Sequence, residues 1–184
     1  MPQALEREDH VTFEGRFRSF EDASINPKPV QQTCPIWIAA NLRPALSGKP
    51  LRRVAQIADG WMLAWVWPGL FGKLWPKLSR HLAEAGRDPQ SFPNIAYHNI
   101  QVAKDRAEAL DETMRFLRRY YGPVFSAEQA AGWTAAGTPT QCIEDLNGLI
   151  AAGAKSITLR ITGWKQREQY ERIVNEVLPF VSSE

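Results

Sequence analysis

Cysteine is scarce in this chain. Cys34 and Cys142 are the only two, they lie far apart, and neither a CxxC spacing nor a histidine cluster accompanies them. Neither a disulfide framework nor a metal site is therefore supported, so both are read as reduced, partly buried thiols. Long apolar runs are also missing. The longest, such as 61–68, are far shorter than the ~20 residues a membrane helix requires. The polar, acidic N-terminus lacks the basic and apolar regions of a signal peptide, so a cytoplasmic protein without membrane contact is expected. Neither sign of charge dominates. With 22 Lys and Arg against 20 Asp and Glu the formal net charge is +2, which is no footprint for nucleic acid. No G-x-G-x-x-G and no P-loop occur, so neither a Rossmann nor a nucleoside-triphosphatase reading has a motif behind it.

What is present is an ordinary globular composition, 44% hydrophobic and 23% charged over 184 residues. A chain of this size buries roughly 70% of its unfolded surface, so one domain spanning 1–184 is expected. Within it, residues 1–34 read as a hairpin and a proline-rich linker, and 35–184 as four βα units. Residues 1–9 have the look of a helix end. Residues 11–17 alternate apolar and polar around Gly15, and Pro27, Pro29 and Pro35 then hold the chain extended.

The units follow in order. Ile36, Trp37 and Ile38 are consecutive and apolar, which predicts a strand over 35–40 buried on both faces. Leu51, Val54, Ala55 and Ala58 recur at helical spacing, with Arg52 and Arg53 on a solvated face, and Asp59-Gly60 stops that helix. A second strand is predicted over 61–66, then a helix from Pro68 to Gly86 that Pro76 should kink or divide. A third strand covers 94–103, and Asp105 with Glu108 caps a long helix to Tyr121. Ser126 with Gln129 opens a shorter helix towards Ala135, and Thr138 with Gln141 opens another that ends at Gly153. The last strand covers 156–162, before a closing helix over 166–181. Four strands with helices between them suit either a small open α/β sheet or part of an eight-stranded barrel, and periodicity does not separate the two.

Several segments in this order resemble the luciferase-like flavin-dependent monooxygenases: PIWIAAN (35–41), RRVAQIADGW (52–61), EAGRDP (84–89), AYHNIQV (96–102), GTPTQCIEDL (137–146), AGAKSITLRI (152–161) and NEVLP (175–179). The resemblance implies a (β/α)8 barrel, here its strands five to eight only, and hence a partial barrel. It also implies reduced FMN with oxygen acting on a small organic substrate, or a deazaflavin cofactor for hydride transfer in a sister branch. A partial barrel leaves two strand edges and an apolar interior uncovered, so self-association or an N-terminal half-barrel partner is expected. A non-catalytic half-barrel is the competing reading.

Candidate site residues follow from strand ends and alternation. Ala39, Ala40 and Asn41 lie at the carboxyl end of the first strand, where parallel barrels place their sites, and the resemblance makes them part of the cofactor-binding loop. The alternative is that the alanines only fit a crowded layer. His98 and Ile100 share one face of a strand, and Tyr97 and Asn99 the other. His98 is thus a candidate acid, base or hydrogen-bond donor, or else a structural histidine. Arg160 shares its face with Thr158 and Thr162; it either holds an anionic cofactor or substrate or makes a structural ion pair. Trp65, with Trp61 and Trp67, forms an aromatic wall beside the site or packs in the core. No metal ligands are expected.

Overall fold

The computed structural model describes residues 2–31, 33–40 and 48–182, and the chain divides into two compact units, 1–36 and 37–184. In the first unit a short helix α1 (Pro2–Arg7) precedes an antiparallel hairpin of β1 (Val11–Glu14) and β2 (Ser19–Ala23). Phe13 and Phe20 meet across it at 5.7 Å. Gly15 makes the turn because a Cβ there would meet the Arg18 carbonyl at 2.8 Å. The extended segment is held to α1 through Lys28, whose Nζ donates to the carbonyls of Leu5 and Glu8 and pairs with Asp9 at 2.9 Å.

The second unit alternates strands and helices: β3 (Trp37–Ala39), α2 (Lys49–Ile57), β4 (Gly60–Ala64), α3 (Pro68–Glu84), β5 (Asn94–Val102), α4 (Arg106–Tyr121), α5 (Ala127–Gly132), β6 (Thr134–Gly137), α6 (Pro139–Ala151), β7 (Ser156–Ile161) and α7 (Gln166–Arg172). All pairings in this sheet are parallel. The four expected strands stand side by side as β3-β4-β5-β7, in the consecutive order of a barrel. The register shows how β5 serves three neighbours. β4 pairs with its residues 94–97 and β6 with 99–102, so these two share one edge, whereas β7 takes 95–100 on the other.

Five details depart from the sequence reading, each for a local reason. Residues 134–137 are a strand and not the continuation of a helix: their alanines favour helix, but all four residues are buried and the segment completes the ladder of β5, so tertiary pairing overrides propensity. Of the two outcomes expected of Pro76, division does not occur: α3 runs unbroken over Pro68–Glu84. β4 ends at Ala64 because Trp65 takes a left-handed conformation, φ 59°, so Trp61, Trp65 and Trp67 do not share a strand face. β3 is not buried on both faces. Trp37 keeps 38% of its surface exposed, since among the described residues the strand pairs only with β4 and lies at an edge. The closing helix gives way after α7 to a π-helical stretch Ile173–Val177 and a 3₁₀ turn Leu178–Phe180 containing Pro179, which cannot continue an α-helix.

Alternation gives the sheet two different faces. Trp61 and Leu63 of β4, Ala96, Ile100 and Val102 of β5, and Ile157, Leu159 and Ile161 of β7 point to one side. There they pack on α2, α3 and α6 through Leu51, Val54, Phe71, Leu78, Leu82, Cys142 and Leu146. Met62, Ala64, Tyr97, Asn99, Gln101, Arg160 and Thr162 point to the opposite, interior side, where Ala64 and Tyr97 meet Leu117 of α4 and Trp133. Capping fixes the helices at the carboxyl ends of the strands: Asp105 accepts from Glu108 N, and Ser126 with Gln129 and Thr138 with Gln141 form reciprocal capping boxes.

Candidate functional site

Parallel α/β sheets build their sites at the carboxyl ends of the strands, and here the interior face at that end is centred on Arg160. Strand register places Arg160 of β7 beside Asn99 of β5. Arg160 Nε donates to Asn99 Oδ1 at 2.9 Å, and Nη1 donates to the Tyr121 hydroxyl at 2.7 Å. The guanidinium carbon lies 4.9 to 5.8 Å from the ring centres of Trp133, Tyr121, Tyr97, Tyr120 and Phe116, all within cation–π range. The rings come from α4, from β5 and from the residue that follows α5, held in place in part by Trp133 Nε1 donating to the Tyr97 carbonyl at 2.7 Å. A hydroxyl pair, Thr113 of α4 with Thr162 after β7 at 2.8 Å, pins α4 across the interior end of the strands.

Buried polar atoms without partners lie on the same face. Among the described residues Asn99 Nδ2, Gln101 Oε1 and Arg160 Nη2 on the interior face have no hydrogen bond, and His98 Nδ1 has none either. An unpaired buried donor or acceptor costs ~1–3 kcal/mol, so three on one face mark a surface built to meet something polar. Beside Arg160 opens a cavity of about 620 Å³ lined by Tyr97, Phe116, Tyr120, Leu159, Ile161 and Trp164. A second cleft of about 540 Å³ lies between α4 and α7. Its cations are already engaged: Arg115 pairs with Asp111 and Glu112, Lys165 with Glu168, Lys104 with Glu108 and Arg172 with Glu176.

The structure distributes the expected site residues unevenly. Trp65 joins the Arg160 group: it stands edge-on to Phe125 at 5.0 Å, and Phe125 contacts both Trp133 and Tyr121. His98 is on the other face, among the helices, and only 2% exposed. Burial pushes its pKa down from 6.5 to about 4, opposed in part by a backbone hydrogen bond with Val66 and by Asp145, so the imidazole is neutral at pH 7. Ala39 ends β3 exposed, and Ala40 is buried with its carbonyl accepting from Trp61 Nε1 at 3.4 Å. Asn41 lies outside the described residues. Cys142 is buried and pushed up to about 12, so it is a closed thiol. No group of three or more His, Cys, Asp or Glu suited to a metal occurs among the described residues, and no described helix is long and apolar enough to cross a membrane.

Asn99 and the rings around Arg160 do not stand out as one site in the sequence. One signal is available there: Phe116 and Tyr120 are four residues apart and so share a face of α4, but which strand that face meets depends on tertiary packing.

Comparison with known proteins agrees with this architecture. A family model described as luciferase-like monooxygenase matches residues 2–156. No curated protein sequence matches the chain. Among solved structures, the fold is similar to an F420-dependent secondary alcohol dehydrogenase in complex with an F420-acetone adduct, with TM-score 0.80 at 17% identity over 99% of this chain and 59% of that one. It is also similar to a monooxygenase from Streptomyces bottropensis (TM-score 0.74, 19% identity, 98% of this chain and 58% of that one). A third is the oxygenating constituent of a type II Baeyer-Villiger monooxygenase from Pseudomonas putida, in complex with FMN (TM-score 0.66, 15% identity, 98% and 60%). The chain thus spans 58 to 60% of the length of these structures, and its sheet is part of a (β/α)8 barrel.

Proposed function

The chain belongs to the luciferase-like monooxygenase family, and on that premise we propose that it carries the carboxyl-terminal part of a flavin-dependent oxidoreductase site, a monooxygenase using reduced FMN and oxygen on a small organic substrate. The observation that carries this reading is the interior face at the strand ends, where partnerless buried polar atoms stand among aromatic rings. That surface fits a flat ring with a polar edge: Gln101 Oε1 is a buried acceptor awaiting an N–H, and Ala39 is small enough to let a ring or phosphate approach the backbone. Ala39, Ala40 and Asn41 are proposed to hold the cofactor, Trp65 to flank the pocket, and Arg160 to hold an anionic cofactor or substrate. When bound, the flavin supplies the electrons that allow one oxygen atom of O2 to pass to the substrate. The chain's own part is to orient the reactants and to exclude water with the rings of α4 and Trp133. His98 has no place in this proposal, because its side chain faces the helices.

A deazaflavin serving hydride transfer is the second reading, supported by the likeness in fold to the F420-dependent secondary alcohol dehydrogenase. Titrating reduced FMN and a deazaflavin into the purified protein distinguishes the two, and saturable binding of FMN is expected. Binding of neither would leave a non-catalytic half-barrel. The edges of β3 and β7, each paired on one side only among the described residues, support self-association or pairing with an N-terminal half-barrel. A monodisperse monomer in light scattering with a cooperative melt would overturn that part.

A further inference from the structure

Arg160 is a cation without a carboxylate. Its polar partners among the described residues are neutral, the Asn99 amide and the Tyr121 hydroxyl, and no Asp or Glu among them pairs with it. The side chain is half-buried and its Nη2 fully so, and a cation set among five rings without a counter-ion leaves that donor unpaired unless a ligand provides the anion. The hydrogen-bonding pattern says which atoms remain for that ligand. Nε and Nη1 are used, and Nη2 is buried and free. Asn99 must turn its oxygen to Arg160 Nε, because its NH2 group cannot accept from a guanidinium; this settles the amide orientation and leaves Nδ2 as the second free donor. Two unused donors therefore sit on one arginine–asparagine contact; Arg160 lines a cavity with Tyr97, Phe116, Tyr120 and Trp164, and Asn99 adjoins it through Arg160 without lining it.

We propose that Arg160 and Asn99 form a subsite for the carboxylate of a planar aromatic acid, whose ring occupies the cavity walled by Phe116, Tyr120 and Trp164 along β7. A carboxylate offers two acceptor oxygens to two donors and neutralises the guanidinium. The apolar walls suit a flat hydrocarbon body, and the exposed edges of Trp164 and Tyr120 leave an entrance. The subsite depends on the proposed oxidoreductase function only in making this acid the substrate; the binding itself does not.

The test uses naphthoate and its uncharged amide, naphthamide, titrated into the whole protein and followed by tryptophan fluorescence, since Trp133 and Trp164 border the site. Naphthoate is expected to bind about ten- to a hundredfold more tightly than naphthamide, the range for a charge-assisted pair. Arg160→Met, checked for folding by its melt, abolishes that preference, and Arg160→Lys, which keeps the charge but not the fork, retains part of it. Equal affinity of acid and amide in the wild-type protein, no binding of naphthoate, or a preference that survives in folded R160M overturns the proposal; the wild-type comparison decides even if a variant does not fold. Saturating FMN separates the two sources of an acceptor group. If FMN displaces naphthoate and Arg160→Met weakens FMN to the same degree, the pair belongs to the cofactor and the inference falls. FMN binding without naphthoate binding rejects the subsite and leaves the proposed function standing. Naphthoate binding without binding of any flavin does the reverse.

Discussion

The two faces of the parallel sheet are made by the same strands and serve opposite ends. On the helix side Trp61, Leu63, Ala96 and Ile100 are completely buried against α2, α3 and α6, and the contacts are apolar. On the interior side Asn99, Gln101 and Arg160 carry buried polar atoms that nothing among the described residues satisfies. One face stabilises the fold and the other gives up stability to hold donors and an acceptor in place. The period of two along a strand makes this possible: stability and binding are assigned to alternate residues of one element.

The largest expected effect tests the helix side. Leu63→Ala, at a fully buried position, should destabilise the protein by ~2–5 kcal/mol, read as a lower denaturation midpoint with unchanged flavin and naphthoate affinity for the folded fraction. A loss of binding without loss of stability would show that the faces are not separable. Next comes pH. His98 has a folded pKa of about 4 against the ordinary histidine value of 6.5, so below pH 6.5 the unfolded chain binds a proton that the folded one refuses. Stability is therefore full above pH 6.5 and falls as the pH drops towards 4, by about 3 kcal/mol in all. In His98→Leu this segment of the pH–stability curve should flatten; an unchanged slope would mean that His98 is not the group responsible.

A smaller effect is expected from Thr138→Ala, which removes the cap of α6, a helix packed on that same side. The loss should be ~1 kcal/mol in chemical denaturation, with binding unaltered. Smallest of all is the stability change in Arg160→Met. Lost cation–π contacts oppose relief of an uncompensated, half-buried charge, and the net should be within ~1 kcal/mol. A large destabilisation would place Arg160 with the helix-side core as a structural element and erase the contrast between the faces.

How much of this is legible in the sequence differs by element. The strands β3, β4, β5 and β7 follow from apolar runs, and the caps at Asp105, Ser126 and Thr138 from residue types three apart, because such signals are local. Thr134–Gly137 is not legible as a strand. Four small residues after a capped helix carry no strand signal, and only the free edge of β5 makes them one. The sharing of faces by Tyr97 with Asn99 and by His98 with Ile100 can be read from alternation, but alternation does not say which face turns inward. For that reason His98 stands as a site candidate in the sequence, and packing places it among the helices.

The same division holds for the site as a whole. The sequence by itself determined the order of the units, the family and the presence of one arginine on the last strand, since each is written in neighbouring residues. That Arg160 lies against Asn99, 61 positions away, and inside rings contributed by α4 and Trp133, was decided only by tertiary structure. Register between strands and the crossing of a helix over them depend on long-range packing, which no local pattern encodes.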